Sequence, residues 1–164
     1  DSVRRILVDR DSGRPRDVLA QRIMRLFGVA DELDLIDAFS RERDISARGE
    51  AVEEVFAAAA DGSVAAREII VHGAAEVAVD IHRIRSQGAV GGLVVCAGGV
   101  ITNNESFFQA VREHAARLGP DLDFSILPVP PVHGAIALGR QIQSTDDATP
   151  ARSTAGAPFE SPPE

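Results

Sequence analysis

The sequence predicts an α/β fold, rich in helix around a short buried sheet and closed by a disordered tail. Three observations carry that expectation. From Leu93 to Ala97 an unbroken apolar run, LVVCA, stops at Gly98-Gly99 and gives way to VITNN, as a strand buried on both faces of a parallel sheet would. The run follows the longest helical periodicity in the chain and precedes an amphipathic helix and a second candidate strand, Phe124 to Val129. Strand, glycine turn, helix and strand in that order is the pattern of a parallel unit. From Ser144 onward Thr, Ser, Pro, Ala and acidic residues dominate, too little apolar surface to offset chain entropy. The expected division is therefore a lobe over residues 1–143 and a tail over 144–164.

The elements follow in order. DSVRRILVDRDSG reads as a short helix with Val3, Ile6 and Leu7 inward, ended at Ser12-Gly13. Pro15 sits where a first helical turn accepts it, and Val18, Ile23, Leu26 and Phe27 supply an apolar face before Gly28. Residues Asp31 to Phe39 place Leu33, Leu35, Ile36 and Phe39 at mixed helical spacing. Ser46 can cap a further helix through Val52, Val55, Phe56 and Ala60, stopped by Asp61-Gly62. Ser63 opens the longest helix, in which Ala66, Ile70, Ala74, Val77, Ile81 and Ile84 recur at three and four, with Val71, Ala75 and Ala78 widening the stripe. So wide a stripe implies burial against more than one neighbour. Gly88 ends it. After the strand, Thr102 and Glu105 read as a T-x-x-E capping box, and Phe107, Phe108, Val111, Ala115 and Leu118 continue a helix that Gly119-Pro120 closes. Beyond the second strand, Pro130-Pro131 introduce a small-residue helix, HGAIALG. Its Gly134, Ala135 and Ala137 allow close approach to neighbouring backbone.

Composition narrows the function. A chain of 164 residues is the size of one domain that buries roughly two thirds of its unfolded surface. The longest apolar stretch, Ala89 to Ile101, is interrupted by four glycines and falls short of the about 20 residues a membrane helix needs. No leader is visible, so the cytoplasm is the expected compartment and no membrane partner is expected. A chain that opens on Asp1 rather than Met reads as a piece of something longer. The net charge of −8, with arginines scattered among acids, no Lys, and neither Trp nor Tyr, argues against nucleic acid as a partner. The lone Cys96 lies inside the apolar run and reads as a small hydrophobe. His72, His82, His114 and His133 show no pair at metal-ligand spacing, and Glu68, Glu76 and Asp80 read as the solvated face of the long helix.

That leaves Gly98-Gly99. Ligands bind at strand C-termini in α/β sheets, and glycines let a flat or charged group reach backbone without Cβ obstruction. A tight βα turn with no ligand explains the same residues, and both readings stand. The spacing is not G-x-G-x-x-G, and no lysine follows to make a P-loop.

The order of long helix, VVCAGGVITNN, amphipathic helix and FSILPVPPVHGAIALG resembles the C-terminal part of the BadF/BadG/BcrA/BcrD-type ATPase family, over residues 1 to about 140. Within it the sequence is most similar to N-acetylglucosamine and glucosamine kinases. The resemblance implies the second lobe of an actin-like ATPase fold, the ribonuclease H-like fold of sugar kinases, Hsp70 and actin. It implies ATP between two lobes with Mg²⁺, an amino sugar as phosphoryl acceptor, and Gly98 and Gly99 as the adenosine loop. Ala97 and Val100 would flank that loop, Asn103 would offer a polar contact, and Gly134 would lie in the supporting final helix. The phosphate segments and the catalytic Asp of such families have no counterpart in these residues, so no catalytic residue is assigned. A homodimer stays open. An ATPase activator of a radical dehydratase or reductase, with an iron–sulfur cluster, is an alternative, as is a non-catalytic nucleotide-binding module.

Overall fold

The computed structural model describes residues 1–42, 45–119 and 121–147, at 45–48 and 144–147 by backbone alone. Two units emerge, Asp1–Ile126 and Leu127–Glu164.

The first unit begins with five helices: α1 (Ser2–Asp11), α2 (Val18–Phe27), α3 (Asp34–Arg41), α4 (Ile45–Ala60) and α5 (Val64–Ser86). Helix α2 starts later than Pro15 suggests. Asp17 is its N-cap, accepting from Leu19 N–H, so Pro15 precedes the helix instead of opening it. The face α2 buries is Leu19, Ala20, Ile23 and Met24. Gly28 closes it at φ +65, a left-handed cap that glycine adopts without a Cβ penalty. In α3 only one of the four expected apolar residues reaches the core fully: Leu35 is buried, while Leu33 and Ile36 are exposed. Ser46 lies inside α4 and is not its cap. Ser63 does cap α5, its Oγ accepting from Ala66 N–H at 3.0 Å.

The wide stripe on α5 serves two cores. Ala65 and Ala66 join Ile6, Leu19, Ile23, Leu35, Val55 and Ala58 in one cluster. Further along, Ala74 meets Phe107 and Val111 in a second. Half-buried Ile70 packs against both. The alanines on α5 let helices approach closely, so the bulky side chains come from neighbouring elements. Val71 and Ile84 are exposed, so the expected stripe is wider than the buried one.

Strand β1 (Leu93–Cys96), the short helix α6 (Gly99–Asn103), α7 (Glu105–Leu118) and β2 (Asp123–Ile126) complete the unit. The strands pair in parallel, from Leu93 opposite Asp123 to Cys96 opposite Ile126, a pairing that needs a crossover such as α6 and α7 supply. The helix-rich α/β expectation holds at this level. Burial of β1 on both faces does not. Cys96 is buried, whereas Leu93 and Val95 are 63% and 52% exposed, because a two-stranded sheet in this unit has one covered face. The capping box is also absent. Thr102 lies in α6, where its Oγ1 donates to Gly98 O at 3.0 Å, and Asn104 stands at the N-cap of α7. Helix α7 buries Phe107, Phe108, Val111 and Ala115 but leaves Leu118 exposed.

The described part of the second unit carries α8 (Val132–Asp147). Its first turn is set by Pro130 and Pro131, whose carbonyls accept from His133 and Gly134 N–H at 3.0 Å each. Helix α8 runs through Ser144 to Asp147, so the first four residues of the expected tail are helical. Residues 148–164 lie outside the described residues.

Candidate functional site

Gly98 sits at φ +99, ψ 146, a conformation closed to L side chains at low cost. That backbone turns the chain from β1 into α6, so Gly98 is required for the turn itself. Gly99 differs. It has no positive φ, and a Cβ built on it would meet only Asn103 Nδ2, at 3.8 Å.

Helix α6 presents Gly99, Val100 and Asn103 to one side, with Asn104 following. Gly99 and Val100 stand four and three residues before Asn103, the spacings that share a helical face. Helix α4 answers with Gly49, Val52, Glu53 and Phe56, the i, i+3, i+4, i+7 face of a helix. Between them lies a groove of about 500 Å³. Val52, Phe56 and Val100 form its apolar wall. The Phe56 ring is held edge-on against Phe107, centroids 6.1 Å apart. Gly49 leaves open space where a side chain would stand. An apolar cavity of about 260 Å³ shares Val52, Phe56 and Val100 and extends the wall toward Val55, Ile70 and Phe107.

The polar equipment is small. Asn104 Nδ2 donates to Val100 O at 2.8 Å, which braces the end of α6. The Asn103 amide oxygen lies 3.5 Å from Thr102 Oγ1, whose proton goes to Gly98 O, and among the described residues the Asn103 NH₂ donors have no hydrogen-bond partner. Among the described residues Glu53 is the one charged residue along the groove, and it has no hydrogen bond or ion pair with any other of them. Its neighbour Glu54 is spent on Arg22, 2.7 Å away.

The structure thus gathers Gly99, Val100 and Asn103 and separates them from Ala97 and Gly98, which shape the turn without lining the groove. In the sequence Val52 and Phe56 stand out as apolar positions of a helix and not as part of a site. The α4 pattern, G-x-x-V-E-x-x-F, reads as an ordinary buried face, and the carboxylate set between Val52 and Phe56 was the one available signal. Cys96 is 7% exposed, and burial pushes its thiol up from the ordinary value, an environment that disfavours the reactive thiolate. Among the described residues no group of three or more His, Cys, Asp or Glu could hold a metal ion, and no helix is long and apolar enough to cross a membrane. A further cavity of about 280 Å³ near the C-terminal ends of α5 and α7 includes His82, Arg85 and Asp121 and none of the residues expected from sequence. Comparison of the chain with models of known protein families finds no match, and neither does comparison with curated proteins.

Proposed function

We propose that the α4–α6 groove takes the adenosine of ATP, and that the chain is the C-terminal portion of an ATP-dependent amino-sugar kinase similar to the N-acetylglucosamine kinases. On this reading the first unit belongs to the second lobe of an actin-like ATPase fold. The observation that carries it is the meeting of Gly99, Val100 and Asn103 with Phe56 and Glu53 along one groove of about 500 Å³. Small-molecule sites are commonly about 300–1,000 Å³, mostly apolar, with a few placed polar groups. A purine needs a flat apolar wall, and Phe56 with Val100 supplies one. The position just past the C-terminal end of β1, in a parallel pair, is where α/β sheets collect ligands.

ATP would supply the phosphoryl group for transfer to a sugar hydroxyl. This chain's part is to hold the nucleoside, with Asn103 orienting it and Val52, Phe56 and Val100 excluding water from its faces. Among the described residues no arginine lines the groove, and these residues do not assemble a Mg²⁺ site. Phosphate contacts, sugar contacts and the catalytic base are assigned to the other lobe of the complete kinase. A non-catalytic nucleotide-binding module is the second reading, favoured by a groove whose described lining suits a nucleoside. The ATPase-activator alternative has only Cys96 to offer a cluster, and that thiol is buried.

Gly99→Val tests the groove. Because a Cβ at Gly99 meets only an ordinary contact, the variant should fold with unchanged thermal stability. Its affinity for adenosine, followed by protein-observed NMR titration, should drop by about tenfold or more, a loss of about 1.4 kcal/mol per decade. Unchanged affinity would remove the adenosine assignment. Phosphorylation of an amino sugar by residues 1–164 alone would overturn the reading of the chain as one portion of a kinase and sink the module reading with it.

A further inference from the structure

We infer that Glu53 reads the ribose: its carboxylate accepts hydrogen bonds from the vicinal 2′- and 3′-hydroxyls, so the groove prefers ribonucleosides to 2′-deoxyribonucleosides. This rests on the adenosine reading of the same groove and adds a specificity-determining residue to it. Glu53 and Phe56 stand three residues apart on the α4 face that lines the groove, close to one helical turn of about 5.4 Å. If the purine lies on Phe56 and Val100, the next group along the nucleoside reaches Glu53. That group is the sugar.

The chemistry selects among the parts of a nucleotide. An ionised carboxylate is acceptor-only, and its charge repels phosphates. The adenine edge mixes one amino donor with ring acceptors, so a carboxylate there would satisfy one contact and oppose another. A vicinal diol offers two O–H donors side by side, matched to two carboxylate oxygens. Glu53 makes no ion pair with another described residue, so binding a diol breaks none among them. On the opposite side, the Asn103 donors suit the purine nitrogens. Gly49, one turn before Glu53, leaves the space a sugar ring requires.

The test uses the full chain and uncharged nucleosides, so that phosphate repulsion does not enter. Adenosine and 2′-deoxyadenosine are titrated by NMR against the wild type, Glu53→Ala, Glu53→Gln and, as a control off the groove, Glu50→Ala. In the wild type the deoxynucleoside should bind about tenfold more weakly, the size of one hydrogen bond to a charged acceptor. Glu53→Ala should bring the two affinities together, mainly by weakening adenosine, Glu53→Gln should fall between, and Glu50→Ala should keep the wild-type ratio. A ratio of one in the wild type, with adenosine bound, would overturn the role of Glu53 and leave the adenosine site standing. A ratio that survives Glu53→Ala would do the same. Absence of adenosine binding to the wild type would overturn both.

Discussion

Glu32 shows how one side chain can join three segments. Arg16, ahead of α2, donates through Nε to Glu32 Oε1 at 2.6 Å, and Arg10 of α1 lies 3.9 Å from the other oxygen. The carboxylate is 11% exposed. The Arg16 hydrogen bond, followed by a backbone hydrogen bond, holds its carboxyl below the usual carboxylate range, against the opposing effect of burial. A carboxyl depressed in the folded state adds stability that is fully present above its unfolded value of about 4.3 and is lost as pH falls through the folded value. Glu32→Gln should therefore lower Tm at pH 7, and the gap from wild type should close as pH drops below about 4. Thermal unfolding between pH 7 and pH 3 measures it. A constant gap would mean that Glu32 acts through packing and not through its charge.

At the scale of elements, the N-termini of α2 and α5 are fastened to each other. Ser63 Oγ accepts from Ala66 N–H within α5 and donates to Asp17 Oδ2 at 2.7 Å. Asp17 in turn caps α2 through Leu19 N–H. Each cap thus orients the other. Ser63→Ala should cost about 1–2 kcal/mol, a lost cap plus a carboxylate left short of a donor. Asp17→Ala should cost a similar amount, and the double variant less than the sum, since the two share one bond. Urea unfolding of the three variants checks this, and full additivity would show that the caps work independently. That α5 opens at Ser63 was legible from sequence, because a serine just ahead of an apolar helical periodicity is a local start signal. Its partner Asp17, 46 residues away, was not.

Across the first unit, α5 is the element that the two cores have in common. Leu35 and Val111, both 0% exposed, belong to different clusters, and Ile70 packs against each cluster. The unit should then unfold in one transition. Leu35→Ala should cost about 2–5 kcal/mol and Val111→Ala about 1.5–3 kcal/mol, both displacing the same midpoint without adding a second. A biphasic curve for either variant would show that α5 does not transmit stability between the cores.

What the sequence determined by itself is what depends on near neighbours. Helices α1 to α5 and α7, the β1 run, and the glycine that turns the chain into α6 follow from periodicity, caps and the conformational freedom of Gly98. Two expected starts failed where a competing local bond existed: Asp17 caps α2 beyond Pro15, and Thr102 bonds back to Gly98 O within α6. The tertiary structure decided which apolar positions are covered. Leu93 and Val95 carry the composition of a doubly buried strand yet face outward, because composition reports a residue's preference for burial and not whether a layer exists to provide it. The candidate groove divides the same way. Gly99, Val100 and Asn103 stood out along the chain, while Gly49, Val52, Glu53 and Phe56 became part of the site only when packing laid α4 across from α6. A groove shared by segments about 50 residues apart is set by the contacts between helices, and those contacts leave no spacing in the sequence to be read.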